Sequence, residues 1–180
     1  MTAPTTAQAV LERALAVEAA AQAELLAGVA APAGFREAAA LYWESYGLAP
    51  PASYGRLVGM LKAAVLGGGG VEEAERVRAL LTDGGESPTA WYAIAIAALV
   101  VGDDPQAVRG AGAMQGGGDA FARAAAAIEA IARDDDSRAI SAITAIEADF
   151  AARDAHLTGV AIADTAVLFA TLRERRARGR

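Results

Sequence analysis

The aromatic residues are the first candidates for chemistry, because the 180-residue chain has only Phe 4, Trp 2 and Tyr 4. The candidate binding set consists of two short aromatic segments, two arginines near the first of them, and the single histidine. Its residues are Arg36, Tyr42, Trp43, Tyr46, Tyr54, Arg56, Trp91, Tyr92 and His156. Aromatic and arginine side chains are enriched at interface hot spots. The same rings have a structural alternative, since an alanine-rich core needs large side chains to fill it.

His156 is a candidate general base, because its ordinary pKa lies near neutrality. Asp154 is two residues away, and Ser141, Thr144 and Thr158 offer hydroxyl groups. The sequence has no nucleophile-elbow motif that would activate a serine. We therefore predict no catalytic residue and place His156 in a short link, bonded to a helix end.

Three consecutive aspartates, Asp134 to Asp136, resemble the carboxylates that bind Mg²⁺ together with water or phosphate. They fall between two predicted helices, where Asp caps the following helix and favours its positive end. Asp103 and Asp104 occupy an equivalent turn. We therefore predict helix caps and no metal site. The absence of Cys and the single His also exclude Cys-based zinc sites and multi-histidine sites.

Glycine runs at 67–70 and 116–118 resemble phosphate-binding loops. A dinucleotide loop requires G-x-G-x-x-G after a strand, and a nucleotide P-loop requires Gly-Lys followed by Ser or Thr. Neither motif occurs, and the sole lysine, Lys62, precedes the first run. We predict glycine-rich links between helices and no cofactor.

The net charge of -6 is unevenly distributed. Residues 173–180 hold five Arg and one Glu, a net of +4, which leaves -10 for residues 1–172. An acidic body disfavours nucleic-acid binding, which needs many cationic contacts. The longest uncharged apolar run has twelve residues, at 90–101, whereas a membrane-spanning helix needs about 20. We expect no membrane span and a cytoplasmic protein.

Helical periodicity runs through the chain, which is rich in Ala, Leu, Glu and Arg, and no strand-like alternation occurs. Glycine and proline divide it into helices, predicted at about 5–30, 35–46, 52–66, 71–81, 87–102, 104–114, 119–133, 135–153 and from 164 or 165. Thr5 or Thr6 is expected to cap the first helix, and Asp164 or Thr165 the last. Two links are expected, at Pro32-Ala-Gly34 and at Asp83-Gly-Gly85.

The short helices and brief links predict antiparallel helical hairpins. Residues 94–114 and 126–146 match at a shift of 32, and each segment reads helix, acidic turn, helix. A period near 33–34 residues is characteristic of helix-turn-helix solenoids, and the alternative is an irregular bundle. We predict one all-α domain of eight or nine helices at 1–172, arranged as a short tetratricopeptide-like (TPR-like) or irregular array. A basic tail at 173–180 follows it.

Two stretches carry a resemblance to known proteins. The segment 150–169, FAARDAHLTGVAIADTAVLF, resembles the C-terminus of small uncharacterised all-helical actinobacterial proteins. The helical hairpin before it is similar to the Ala-rich hairpins of all-helical immunity proteins from bacterial polymorphic toxin systems. The second resemblance implies a toxin-binding role and carries over no functional residue.

These patterns predict non-catalytic binding of a protein partner, as an immunity or accessory protein whose acidic helical surface docks on a basic partner. The alternative is a helical small-molecule-binding protein, or an enzyme, with a Tyr/Trp-lined pocket. Enzymatic activity is left open, with the sequence leaning against it. Homo-oligomerisation through alanine-rich faces is also left open.

Overall fold

The computed structural model describes residues 6–82 and 84–179. Over these residues it contains nine α-helices and no strand, which confirms the predicted all-α fold. The helices are α1 (Ala7–Leu26), α2 (Pro32–Leu48), α3 (Gly55–Leu66), α4 (Val71–Leu80), α5 (Pro88–Val101), α6 (Asp104–Met114), α7 (Asp119–Ala132), α8 (Asp136–Ala151) and α9 (Asp164–Arg178). In the described part of the chain, no helix has the length and apolar content needed to span a bilayer. Thr5, Asp83 and Arg180 lie outside the described residues.

Side chains cap four of the helices by accepting a hydrogen bond from the backbone N–H three residues further on. The capping residues are Thr6, Ser87, Asp103 and Asp135. Each such bond satisfies one of the N–H groups that a helix start leaves without an intrahelical partner. The capping role predicted for the two aspartate clusters is therefore confirmed.

The start of two helices and the cap of a third differ from the prediction. Helix α3 begins at Gly55 rather than at residue 52. The stretch Pro32-Ala-Gly34 forms the first turn of α2 rather than a break before it, because a proline at the first helical position lacks only an N–H that the helix does not use. Neither Asp164 nor Thr165 caps α9: Asp164 is its first residue, and the residue before it, Ala163, makes no side-chain cap bond.

The segment expected as a basic tail is, over residues 173–178, the end of α9. Arg175 donates hydrogen bonds to the backbone carbonyls of Val65, at 2.6 Å, and Gly69, at 2.7 Å. Arg176 forms an ion pair with Asp104 at the start of α6. The arginines thus fasten the last helix to the rest of the domain.

Successive helices pack against each other, and α9 returns to contact α3, α7 and α8. Small residues let the helices approach closely. A Cβ atom placed on Gly110 would lie 2.9 Å from the Cβ of Ala95, and one on Gly34 would lie 3.0 Å from the Cβ of Ala21. The crossings of α5 with α6 and of α1 with α2 therefore depend on glycine meeting alanine.

The turns that join α5 to α6 and α7 to α8 have the same backbone geometry. Each contains one residue with positive φ, Gly102 at 78° and Asp134 at 60°. The following aspartate N–H donates to a carbonyl five residues back, Asp103 to Ala98 and Asp135 to Ala130, both at 2.9 Å. The two turns are therefore alike in backbone geometry. The 32-residue repeat itself stays a prediction.

Candidate functional site

A cavity of about 720 Å³ lies among α1, α3, α7, α8 and the link between α8 and α9, residues 152–163. This volume is within the range of roughly 300–1,000 Å³ that small-molecule sites occupy. Much of its wall is apolar. The large apolar side chains in the wall are those of Leu11, Leu15, Val58, Phe121, Ile146, Phe150, Leu157, Val160 and Ile162. The wall also contains charged and hydroxyl groups, which fall into three clusters.

The first cluster is an ion pair. Lys62 Nζ lies 2.5 Å from Asp164 Oδ2, with the side chains 16% and 21% exposed. Burial alone lowers the pKa of Lys62, but Asp164, Tyr92 and Glu18 outweigh burial and raise that pKa above its ordinary value. Lys62 is therefore a protonated hydrogen-bond donor rather than a free amine nucleophile.

Beside this pair, Tyr42 Oη donates to Glu18 Oε2 at 2.5 Å, and Glu18 is only 3% exposed. Burial raises the pKa of Glu18, against the lowering effects of the Tyr42 hydrogen bond and the Lys62 charge. Burial also raises the pKa of Tyr42, so its phenol stays protonated. Gly59 makes room for this arrangement, because a Cβ there would lie 2.8 Å from the Tyr42 ring.

Tyr92 presents a buried hydroxyl that has no hydrogen-bond partner of normal geometry among the described residues. Burial, assisted by the Asp164 charge, raises the pKa of Tyr92 to about 12, although Lys62 and the nearby Thr165 side chain oppose the increase. An unsatisfied buried hydroxyl costs about 1–3 kcal/mol. Such a group is more readily explained by binding than by packing.

The second cluster surrounds Asp149, whose carboxylate pairs with Arg123 and Arg153, both at 2.6 Å. The Arg153 hydrogen bond is the main cause that lowers the pKa of Asp149. His156 stacks on Phe150 with ring centroids 4.1 Å apart. Its Nδ1 is buried and has no hydrogen-bond partner within residues 6–82 and 84–179. The structure thus brings the histidine to the cavity wall.

The third polar group is Arg56, which is half-buried in the wall. Its Nε donates to Ser45 Oγ at 2.8 Å, and Ser45 in turn donates to the Ala7 carbonyl at 2.7 Å. Arg56 forms no ion pair with any residue that the structure describes. Its charge is therefore oriented but not neutralised.

The structure divides the predicted binding set. The cavity wall contains Tyr42, Tyr54, Arg56, Tyr92 and His156. The remaining four residues lie outside it, and all four have evident packing or bonding roles. Arg36 donates to the Gly67 carbonyl at 2.8 Å, Trp43 stacks on Tyr46, and Trp91 packs against Gly84 and Gly85.

Apart from Arg56, sequence reasoning missed the charged residues of the wall: Glu18, Lys62, Arg123, Asp149, Arg153 and Asp164. One signal was available in α1, where Glu18 and Gln22 continue the helical face of Leu11 and Leu15. A carboxylate on an apolar face indicates a buried charge, which needs a partner.

Comparisons of the chain with known proteins give no match. No protein-family model, no curated protein and no solved structure matches the chain. The interpretation of the site therefore rests on its geometry and chemistry.

Proposed function

We propose that the protein binds a small molecule in this cavity. The observation that supports the proposal is that the Lys62–Asp164 pair, Glu18 and the Tyr92 hydroxyl converge on one cavity wall. Among the described residues, that hydroxyl has no hydrogen-bond partner of normal geometry. Buried charges are a poor source of stability, because apolar side chains in their place are often at least as favourable. Ionisable groups with shifted pKa values in a cavity are typical of functional sites.

The protonation states favour binding over covalent chemistry. Lys62, Tyr42 and Tyr92 have raised pKa values and hold their protons, so Lys62 and Tyr92 offer hydrogen bonds to an acceptor. A protonated lysine is unsuited to imine formation. We therefore expect a ligand with an acceptor group, such as a carbonyl, at the Lys62–Tyr92 end.

The test uses N-phenyl-1-naphthylamine, a neutral dye that fluoresces in apolar surroundings. We expect saturable binding to the unaltered chain and its loss in Ala120→Trp, because Ala120 borders the cavity and is otherwise exposed. Ala148→Trp is the matched control, since Ala148 is exposed on α8 and is outside the wall. Absence of saturable binding, or equal binding by both variants, would contradict the proposal.

Protein-partner binding, with the immunity or accessory role, is the second candidate. The Trp43–Tyr46 stack, which lies outside the cavity, favours this candidate. The Arg76 guanidinium lies over the Trp43 ring, 5.3 Å from its centroid. A pull-down that recovers one partner with the unaltered chain but not with Trp43→Ala would support it. The cytoplasmic location, and the origin that the resemblance to actinobacterial proteins implies, also stay predictions.

A further inference from the structure

The charge of the cavity wall is opposite to that of the whole chain. The wall contains four cationic side chains, Arg56, Lys62, Arg123 and Arg153, and three carboxyl groups, Glu18, Asp149 and Asp164. This leaves a formal charge of +1, or +2 when Glu18 is protonated, in a chain whose net charge is -6. A positive cavity in an acidic protein favours an anionic ligand.

Arg56 is the cation best placed to receive an anion. Lys62 pairs with Asp164, and Arg123 and Arg153 share Asp149. Arg56 has only the Ser45 hydrogen bond, at Nε, so its two terminal nitrogens have no partner among the described residues. A guanidinium with free, oriented N–H groups matches the oxygens of carboxylate, sulfonate or phosphate.

The position of Arg56 on α3, beside the first turn of α1, indicates the shape of the ligand. The Ser45 bond to the Ala7 carbonyl places Arg56 near the first turn of α1. Leu11 and Leu15 follow on the cavity wall, and Glu18 with its neighbour Lys62 comes next. Arg56 and Lys62 lie six residues apart on α3, an axial distance of about 9 Å at 1.5 Å per residue. An apolar stretch thus separates the free cation from the polar end of the cavity.

We propose that the ligand is an amphipathic organic anion, whose oxyanion binds Arg56 and whose apolar body lies along Leu11 and Leu15. This inference rests on the proposed small-molecule function and specifies its ligand class. The oxyanion is a carboxylate, sulfonate or phosphate, since the same guanidinium contacts serve all three.

Two dyes that differ in one group provide the test. 8-Anilinonaphthalene-1-sulfonate carries the anion, and N-phenyl-1-naphthylamine has the same rings without it. A charged hydrogen bond is worth enough to change affinity about tenfold or more. We therefore expect Arg56→Gln to weaken binding of the sulfonate at least about tenfold and to leave binding of the neutral dye within about twofold. Arg138→Gln, at an exposed arginine outside the wall, should change neither affinity.

The outcomes separate the two proposals. If both dyes bind saturably and Arg56→Gln weakens neither or both equally, the anion inference fails and the small-molecule function stands. If neither dye binds saturably, the proposed function fails as well. If Arg56→Gln does not fold, the salt dependence in the unaltered chain decides: added salt should weaken binding of the sulfonate alone, and equal effects on both dyes would overturn the inference.

Discussion

Lys62 Nζ lies 2.5 Å from Asp164 Oδ2, and this contact joins the middle of α3 to the first residue of α9. Both side chains are largely buried, and Glu18 on α1 adds a third ionisable group close enough to affect the Lys62 pKa. Three helices that are distant in sequence thus meet at one buried polar centre. The stability of the domain and the chemistry of its cavity depend on the same few atoms.

Removing one partner of this pair should be strongly destabilising. Lys62→Met leaves the Asp164 carboxylate buried without its cation, so we expect the free energy of unfolding to fall by about 3–5 kcal/mol. Lys62→Met combined with Asp164→Leu should recover much of that loss, because apolar side chains replace both charges. Urea unfolding followed by circular dichroism measures each value. A double variant as unstable as the sum of the two single changes would contradict this account.

Glu18 should make stability depend on pH in a definite direction. Its folded-state pKa is raised above the ordinary value of 4.5, so the folded chain holds the proton more tightly than the unfolded chain does. The stabilisation is complete below pH 4.5 and is lost as the pH rises through the folded pKa. Glu18→Gln has no such titration and still offers an acceptor to Tyr42. The unfolding free energy of the unaltered chain, relative to that of Glu18→Gln, should therefore fall with rising pH. A pH-independent difference would disprove this coupling.

Gly59 and Gly112 form a matched pair for a test of packing. Both lie inside helices, but a Cβ on Gly59 would be 2.8 Å from the Tyr42 ring, whereas one on Gly112 has nothing within 4 Å. We expect Gly59→Ala to destabilise by about 1–3 kcal/mol through overpacking. Gly112→Ala should stabilise by about 0.5–1 kcal/mol through higher helix propensity. Thermal unfolding measures whether each variant is more or less stable than the unaltered chain. Stabilisation by Gly59→Ala would show that the Tyr42 ring moves to accommodate the added methyl group.

The helices could be predicted from sequence because their boundaries are set locally. Gly102 adopts positive φ after α5, and Asp103 caps α6, so residues within one turn determine both ends. The last turns of α9 are different, because Arg175 and Arg176 bond to α3, to the link after it and to α6. An arginine-rich helix end has the same composition as a solvated tail, so composition alone does not reveal these contacts.

The site could be predicted only where residue type was itself unusual. Tyr42 and Tyr92 were candidates because aromatic side chains are rare in the chain, and both line the cavity. Asp164 gave no such signal, and Lys62, although it is the only lysine, was not a candidate because a charged residue on a helix is most often solvent-exposed. Their roles follow from the packing of α9 against α3, which short-range patterns do not encode.

The arginines of α9 should differ sharply in their effects. Arg175 donates to the Val65 and Gly69 carbonyls, and hydrogen bonds from a charged group contribute about 1.5–3 kcal/mol. We expect Arg175→Met to lower the free energy of unfolding by an amount of that order. Arg178 is exposed and pairs with Glu174 on its own helix, so Arg178→Met should have little effect. Guanidinium unfolding of both variants measures the contrast, and equal losses would argue that α9 is not held by the Arg175 carbonyl bonds.

The cavity wall draws on residues from Leu11 to Thr165. During synthesis, a nascent chain that ends after α7 has made Glu18 and Lys62 but not Asp164, which pairs with Lys62 in the finished domain. The cavity is therefore completed only after α9 has been synthesised and has docked.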